Sequence, residues 1–178
     1  MRLVVGAGEG LRGQRKLDIR KNGNLLEGFE FVQARPLLYS VGGITEKPTI
    51  NAERNRVDWS SPALDRKKQI TAHEDATHFK FILGAAMVSN YEFNTAQNKY
   101  FPLEAKFQNL ATFLESEAIA LTQKIIAPVS LTLKLSDTII VPETVGVVSV
   151  VGVAFFRNVN GELLGIDNSG GMRILGVF

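Results

Sequence analysis

Apolar and polar residues alternate along several stretches of the chain, which is the pattern of half-buried β-strands. The segment VSLTLKL at residues 129–135 shows this most clearly, because every second residue is apolar. The segment NRVDWS at residues 55–60 is followed by a Ser-Pro turn signal and alternates in the same way. We therefore expect two strands here, the second with Val57 and Trp59 on its buried side.

Two earlier segments also suggest strands. The segment LLEGFEFV at residues 25–32 alternates after an Asn-Gly turn signal, so we expect a strand that carries Phe29 and Phe31 into the core. Residues 37–41 lie between Pro36 and a Gly-Gly pair, which leaves room for a short strand at most.

The longest apolar segments occur in the middle and near the end of the sequence. Residues 77–91 alternate around Gly84, and a glycine inside a strand suggests a bulge or the close approach of another strand. Residues 145–156 are almost continuously apolar and need cover on both faces, from a second sheet or another subunit. Asn160-Gly161 then predicts a tight hairpin, because both residues tolerate the positive φ of a type I′ turn.

This pattern predicts a mainly β fold: an antiparallel β-sandwich of immunoglobulin-like or fibronectin-like type. Residues 103–124 fit a helix or a strand, so we expect at most one short helix near 103–118. We predict a flexible tail at 1–15 and a β-sandwich domain at 16–178. If this domain consists of two packed β subdomains, the boundary falls near 42–48, in the sequence GGITEKP.

The amino-acid composition excludes some classes of function and makes others less favourable. The 178 residues are 45% hydrophobic, carry a formal net charge of +2 and include no cysteine, which excludes disulfides and cysteine-based metal or catalytic sites. We expect no secretory signal and no membrane span in this sequence. The basic residues between Arg12 and Lys21 have no aromatic residue among them, so we also expect no nucleic-acid binding.

Motifs for catalysis, cofactors or metals are weak. The glycines in GAGEG lack the spacing and the following helix of a dinucleotide-binding loop. His73 and His78 are five residues apart, which directs their rings to opposite faces of a strand. Glu115 could serve a hydrolase, but a solvated strand edge explains it more simply. Residues 167–171 fit a hairpin loop better than a calcium loop. We therefore predict no catalytic, cofactor or metal residues.

An alternative function rests on aromatic residues. Trp59, Tyr91 and Tyr100 could stack against a sugar or another surface ligand if their rings are exposed. The alternation around Trp59 favours core packing instead.

Three segments together resemble an uncharacterised protein family of Bacteroidota: RGQRKLDIRKNGNLLEGFEF, ATHFKFILGAAMVSNYEF and VVGVAFFRNVNGELLGIDNSGGMRILGVF. Members of that family are longer at the N-terminus, so the chain resembles their C-terminal portion. The resemblance implies a shared fold and transfers no catalytic residue. The loop after the Asn-Gly turn departs from the family pattern, because it is rich in glycine rather than tyrosine and asparagine.

These observations predict a non-enzymatic structural or protein-interaction domain. Homo-oligomer formation or a protein partner would cover the apolar run at 145–156. A carbohydrate-binding or surface-ligand-binding module is the alternative, and a hydrolase that uses Glu115 is a weaker third hypothesis.

Overall fold

The computed structural model describes residues 2–108, 110–136 and 138–178. Strands make up 43% of the protein and helices 12%, and the sheets are antiparallel, which confirms the prediction of a mainly β fold. The immunoglobulin-like sandwich stays a prediction. None of the helices in the described ranges is long and apolar enough to cross a membrane.

Short helices and turns lie between the strands. The helices are α1 (Arg2–Ala7), α2 (Ile19–Asn22), α3 (Leu37–Ser40) and α4 (Arg66–Gln69), with 3-10 turns at Gly23–Leu25 and Ala105–Phe107. The strands are β1 (Thr49–Ile50), β2 (Arg56–Ser60), β3 (Leu64–Asp65), β4 (His78–Ser89), β5 (Tyr91–Asn94), β6 (Lys99–Pro102), β7 (Leu110–Glu115), β8 (Ile119–Ala120), β9 (Ile125–Ile126), β10 (Ser130–Lys134), β11 (Val145–Val159), β12 (Glu162–Gly165) and β13 (Gly171–Val177).

The larger sheet is built around the two longest strands, β4 and β11, which pair from Val145 opposite Ser89 to Phe156 opposite His78. β7 and β8 lie on the other side of β4, and β12 and β13 lie on the other side of β11. The apolar run at 145–156 is therefore a central strand, which explains why polar residues are so rare in it.

A smaller sheet in the order β1-β2-β10 contributes to the same core. Val57 and Trp59 of β2 and Leu131 and Leu133 of β10 are all buried, which confirms both strands predicted from alternation. The ring of Trp59 meets that of Phe81 edge-on, with centroids 5.3 Å apart. Burial of each such side chain stabilises the fold by about 1.5–3 kcal/mol.

The hairpin predicted at Asn160-Gly161 is confirmed. Val159 pairs with Glu162, and the two turn residues have φ values of 55° and 93°. Gly84 has no register shift beside it, but a Cβ added there would lie 2.8 Å from Val150 Cγ2. The second of the two explanations for this glycine, a close approach by another strand, is therefore the correct one.

The prediction of a strand at 25–32 with two inward rings is wrong. Phe29 and Phe31 are 55% and 54% exposed, and Gly23–Leu25 forms a 3-10 turn. The alternation persists, but with the faces reversed, because Glu30 is turned inward and its carboxylate accepts a hydrogen bond from the Leu37 N–H at 3.0 Å. A satisfied carboxylate can take a position that the sequence pattern reserves for an apolar side chain.

One short segment also differs from its prediction: residues 37–40 form a single helical turn with Leu37 fully buried, not a strand. The segment 103–118, which fitted either a helix or a strand, forms a 3-10 turn at Ala105–Phe107 followed by strand β7. Phe107 enters the core, whereas the later apolar residues of this segment extend along the edge of β4.

The predicted N-terminal tail and the predicted boundary segment both contain residues that pack against the rest of the protein. Val4 of α1 is buried, and Leu17 pairs with Tyr91. Within the segment 42–48, Ile44 is buried and the carbonyl of Glu46 accepts a hydrogen bond from the Trp59 indole. The flexibility of residues 1–15 and the boundary near 42–48 stay predictions.

Arg54 ties several segments together from a buried position. Its φ of 59° lies in the left-handed region, and its guanidinium donates to the carbonyls of Pro142, Val145 and Phe178 at 2.6, 2.7 and 2.8 Å. Burial lowers the pKa of Arg54, and the positive charge of Arg20 lowers it further.

Candidate functional site

The three aromatic residues proposed for ligand stacking do not form one site. Trp59 is 2% exposed, and its Nε1–H donates to the Glu46 carbonyl at 3.0 Å, so the indole has no open face for a sugar. The β5–β6 hairpin holds Tyr91 and Tyr100, whereas Trp59 belongs to the smaller sheet. The part of the stacking hypothesis that uses Trp59 therefore has no structural basis.

Protein groups bind both tyrosine hydroxyls. The side-chain amide of Gln108 donates to the Tyr91 hydroxyl at 2.6 Å, and the Tyr100 hydroxyl donates to the Gly13 carbonyl at 3.2 Å. The Tyr100 ring also packs edge-on against Phe93, with centroids 5.2 Å apart. The exposed part of Tyr100 is thus an aromatic surface whose polar end is already satisfied.

The polar residues considered for catalysis or metal binding have separate local partners. Glu115 forms an ion pair with Lys80, with 2.9 Å between Oε2 and Nζ. Nδ1 of His78 lies 2.9 Å from the Thr77 hydroxyl, and Nδ1 of His73 accepts a hydrogen bond from the Asp75 N–H at 3.3 Å. Within residues 2–108, 110–136 and 138–178, no group of three His, Cys, Asp or Glu side chains could hold a metal ion.

The structure shows a surface that the sequence pattern did not identify. An open groove of about 430 Å³ crosses the outer face of the larger sheet, opposite the core, and its lining is almost entirely apolar. Small residues keep its floor low where β4 and β7 run side by side, namely Gly84, Ala86 and Ala111. Phe31, Met172 and Phe113 also line this apolar groove.

The aromatic residues of the groove are exposed for different reasons. Phe113 belongs to β7, whose six residues are all exposed, and is itself 69% exposed. Phe31 is held in place because its N–H donates to the Met172 carbonyl at 2.9 Å. Its ring packs edge-on against that of Phe29, with centroids 5.2 Å apart. Rings supported in this way form a preorganised apolar contact surface.

Charged residues lie just beyond one end of the groove, because Lys80 is two residues before the lining residue Ile82 and Glu115 pairs with Ile82. The Lys80 ammonium group bonds to Glu115 and lies 5.2 Å from the centroid of the Phe156 ring. The two charges offset each other, so this end adds polarity without adding net charge. An apolar centre beside a polar rim is the arrangement found in protein interfaces.

A sequence signal for this groove existed but was ambiguous. Alternation indicated which residues of β4 share a face, but not that the second face would lack a covering layer. The exposure of Phe113 depends on β7 lying at the edge of the sheet, which follows from long-range pairing and not from local sequence.

No protein-family model, curated protein or solved structure matches the chain. Membership in the uncharacterised Bacteroidota family therefore stays a prediction that rests on the three segments quoted above.

Proposed function

We propose that the protein is a non-enzymatic interaction domain that associates with further copies of itself through the surface around Phe113. The observation that carries the proposal is the apolar groove, in which a 69% exposed phenylalanine stands beside an almost entirely apolar floor. Contiguous exposed apolar surface of this kind is typical of protein contacts.

Burial of this apolar surface by a binding partner would be energetically favourable. Burying one phenylalanine side chain contributes about 1.5–3 kcal/mol, and Phe31 and Phe113 both line the same groove. Aromatic anchors of this type contribute a large share of the binding free energy in protein interfaces.

A second copy suits this surface better than a strongly charged partner. The charged groups at its end, Lys80 and Glu115, neutralise each other, so the surface offers no net charge to attract an acidic or a basic protein. Two copies present the same apolar groups to each other, as a two-fold contact requires.

The test is the oligomeric state of two matched variants. Phe113→Glu places a charge in the proposed contact, whereas Ile140→Glu does so at a loop residue that is 71% exposed and outside the groove. Sedimentation velocity and light scattering from about 1 µM to about 1 mM should show association of the wild type and Ile140→Glu, and a monomeric Phe113→Glu. A wild type that remains monomeric throughout this range would overturn the proposal.

Ligand binding at the β5–β6 hairpin is the second candidate function. Tyr100 and the neighbouring Phe101 are 38% and 42% exposed, which leaves ring area for stacking. Titration with a panel of mono- and oligosaccharides, followed by NMR chemical shifts of the hairpin, tests this candidate. Shifts that saturate in the wild type and disappear in Tyr100→Ala would support it, and a flat titration would exclude it for the sugars tested.

A further inference from the structure

Strand β7 is an edge of the larger sheet. One hydrogen bond next to it shows which of its backbone groups face β4 and which face away. The N–H of Ser116, just after the strand, donates to the Phe81 carbonyl of β4 at 2.9 Å. Backbone groups of alternate residues point to the same neighbour in an antiparallel pair. The backbone groups of Leu110, Thr112 and Leu114 therefore point toward β4, and those of Ala111, Phe113 and Glu115 point away from the sheet.

This outward edge has neither a proline, a lysine nor a bulge to protect it. Exposed edges are commonly protected by proline, lysine, a bulge or a covering segment. β7 has the sequence LATFLE, its register with β4 is continuous, and its one charged residue, Glu115, is already paired with Lys80. Strand β10 comes within 8 Å of β7 but pairs with β2, and in the part of the chain that the structure describes β7 pairs with no strand other than β4.

We infer that two copies of the chain pair through β7 in an antiparallel, two-fold register centred on Phe113. This inference rests on the proposed self-association and specifies its geometry. Phe113 lies opposite its own counterpart, and Ala111 lies opposite Glu115 of the second copy. The outward backbone groups of all three residues then bond across the axis, and the two larger sheets become one.

Side-chain chemistry agrees with this register. The two Phe113 rings meet on the outer face, where they bury the most exposed part of each groove and form a cross-strand aromatic pair. The two Glu115 residues lie two positions on either side of the axis, so they are about 14 Å apart along the strands. This separation exceeds the Debye length of about 8–10 Å, so their repulsion is largely screened.

The first test removes one outward N–H without changing the groove greatly. Proline at an edge position whose N–H faces solvent is compatible with a strand, so Ala111→Pro should keep the monomer fold and lose pairing. Ala111→Val keeps the N–H and is the matched control. In sedimentation experiments the wild type and Ala111→Val should reach about twice the monomer mass of 19.5 kDa, and Ala111→Pro should remain at that mass.

The second test reads the register directly and does not depend on proline. Thr112 and Leu114 of opposite copies form a non-hydrogen-bonded pair with Cα atoms about 4.5 Å apart, a distance that a disulfide can span. The chain has no cysteine, so the wild type supplies no competing thiol. Thr112→Cys mixed with Leu114→Cys should form a disulfide dimer on mild oxidation. Neither variant should do so alone, because its own Cα atoms are about 8 Å apart across the axis.

The outcomes separate the inference from the proposed function. If Phe113→Glu abolishes association while Ala111→Pro retains it, the copies stack through their faces, and edge pairing is wrong although self-association stands. Cross-linking of Thr112→Cys with itself would indicate another register and would also overturn the inference. A wild type that stays monomeric overturns both.

Discussion

Arg54 combines an unfavourable backbone conformation with hydrogen bonds from its guanidinium to the backbone oxygens of Pro142, Val145 and Phe178. A left-handed φ of 59° disfavours side chains with a Cβ by about 1–2 kcal/mol. The guanidinium compensates because it reaches carbonyls at the start of β11 and at Phe178, which the sequence separates by more than 30 positions. The residue thus holds the last strand against the turn between β1 and β2.

Two substitutions distinguish the contributions of backbone and side chain at this position. Arg54→Ala should lower the free energy of unfolding by about 2–4 kcal/mol, because it leaves buried carbonyls without donors. Arg54→Gly should lower the free energy of unfolding by about 1 kcal/mol less than Arg54→Ala does, because glycine adopts the left-handed conformation without strain. Urea denaturation measures both values. An alanine variant as stable as the wild type would show that the hydrogen bonds contribute no net stability, because alanine keeps the backbone strain and removes only the guanidinium.

Glycine is required for different reasons at two positions near the end of the chain: for backbone conformation at Gly161 and for lack of space at Gly170. Gly161 has a φ of 93° and open space around it, whereas a Cβ on Gly170 would lie 1.9 Å from the carbonyl oxygen of Val153. Gly161→Ala should therefore destabilise by about 1–2 kcal/mol, through backbone strain alone. Gly170→Ala should be the more destabilising change, because backbone atoms must move. Thermal unfolding followed by circular dichroism compares them, and the reverse order would contradict this explanation.

At the scale of elements, the sequence predicted those strands whose alternation matches their burial. The local patterns agree with the structure in strands β2 and β10 and in the β11–β12 hairpin. Val57, for example, faces the core, and Asn160-Gly161 forms the turn. Residues 25–32 show a case in which alternation alone predicts the wrong buried face. Glu30 gains a backbone donor from a residue seven positions away and an ion pair with Arg173 at 3.3 Å, and neither partner can be identified from the alternation.

The candidate site was less predictable than the fold. The apolar groove draws residues from β4, β7, β11 and β13 and from the Phe31 segment. It exists because no other part of the described chain covers that face of the sheet. A sequence pattern states which side chains share a face, but the presence or absence of a covering layer is decided by tertiary packing.

At the scale of the whole molecule, one apolar cluster connects both sheets. It includes Ile44 from the proposed boundary segment, Trp59 from the smaller sheet and Phe155 from the larger sheet. Elements that share one core lose their stabilising contacts together when any of them separates.

We therefore expect the protein to unfold in a single transition. Trp59 is the sole tryptophan and reports on the smaller sheet, whereas far-UV circular dichroism reports on the strands of both sheets. The two probes should give the same urea midpoint and the same slope within error. Two separated midpoints would instead support independent subdomains with a boundary near 42–48.

The segment that replaced the predicted strand at 25–32 has a consequence for the size of any assembly. The Gly28 N–H donates to the Ile174 carbonyl at 2.9 Å, and the Phe29 carbonyl accepts from the Ile174 N–H at 3.0 Å, so this segment covers the outer side of β13. With β13 covered, the far side of the sheet offers the four-residue strand β12 rather than the seven-residue strand β13, so pairing through β7, which uses the same edge of both copies, closes at two. If the cover were released, each molecule would present two unlike long edges, and head-to-tail addition could continue without closure. The segment around Glu30 would then act as a chain terminator, and its loss would turn a discrete pair into a growing filament.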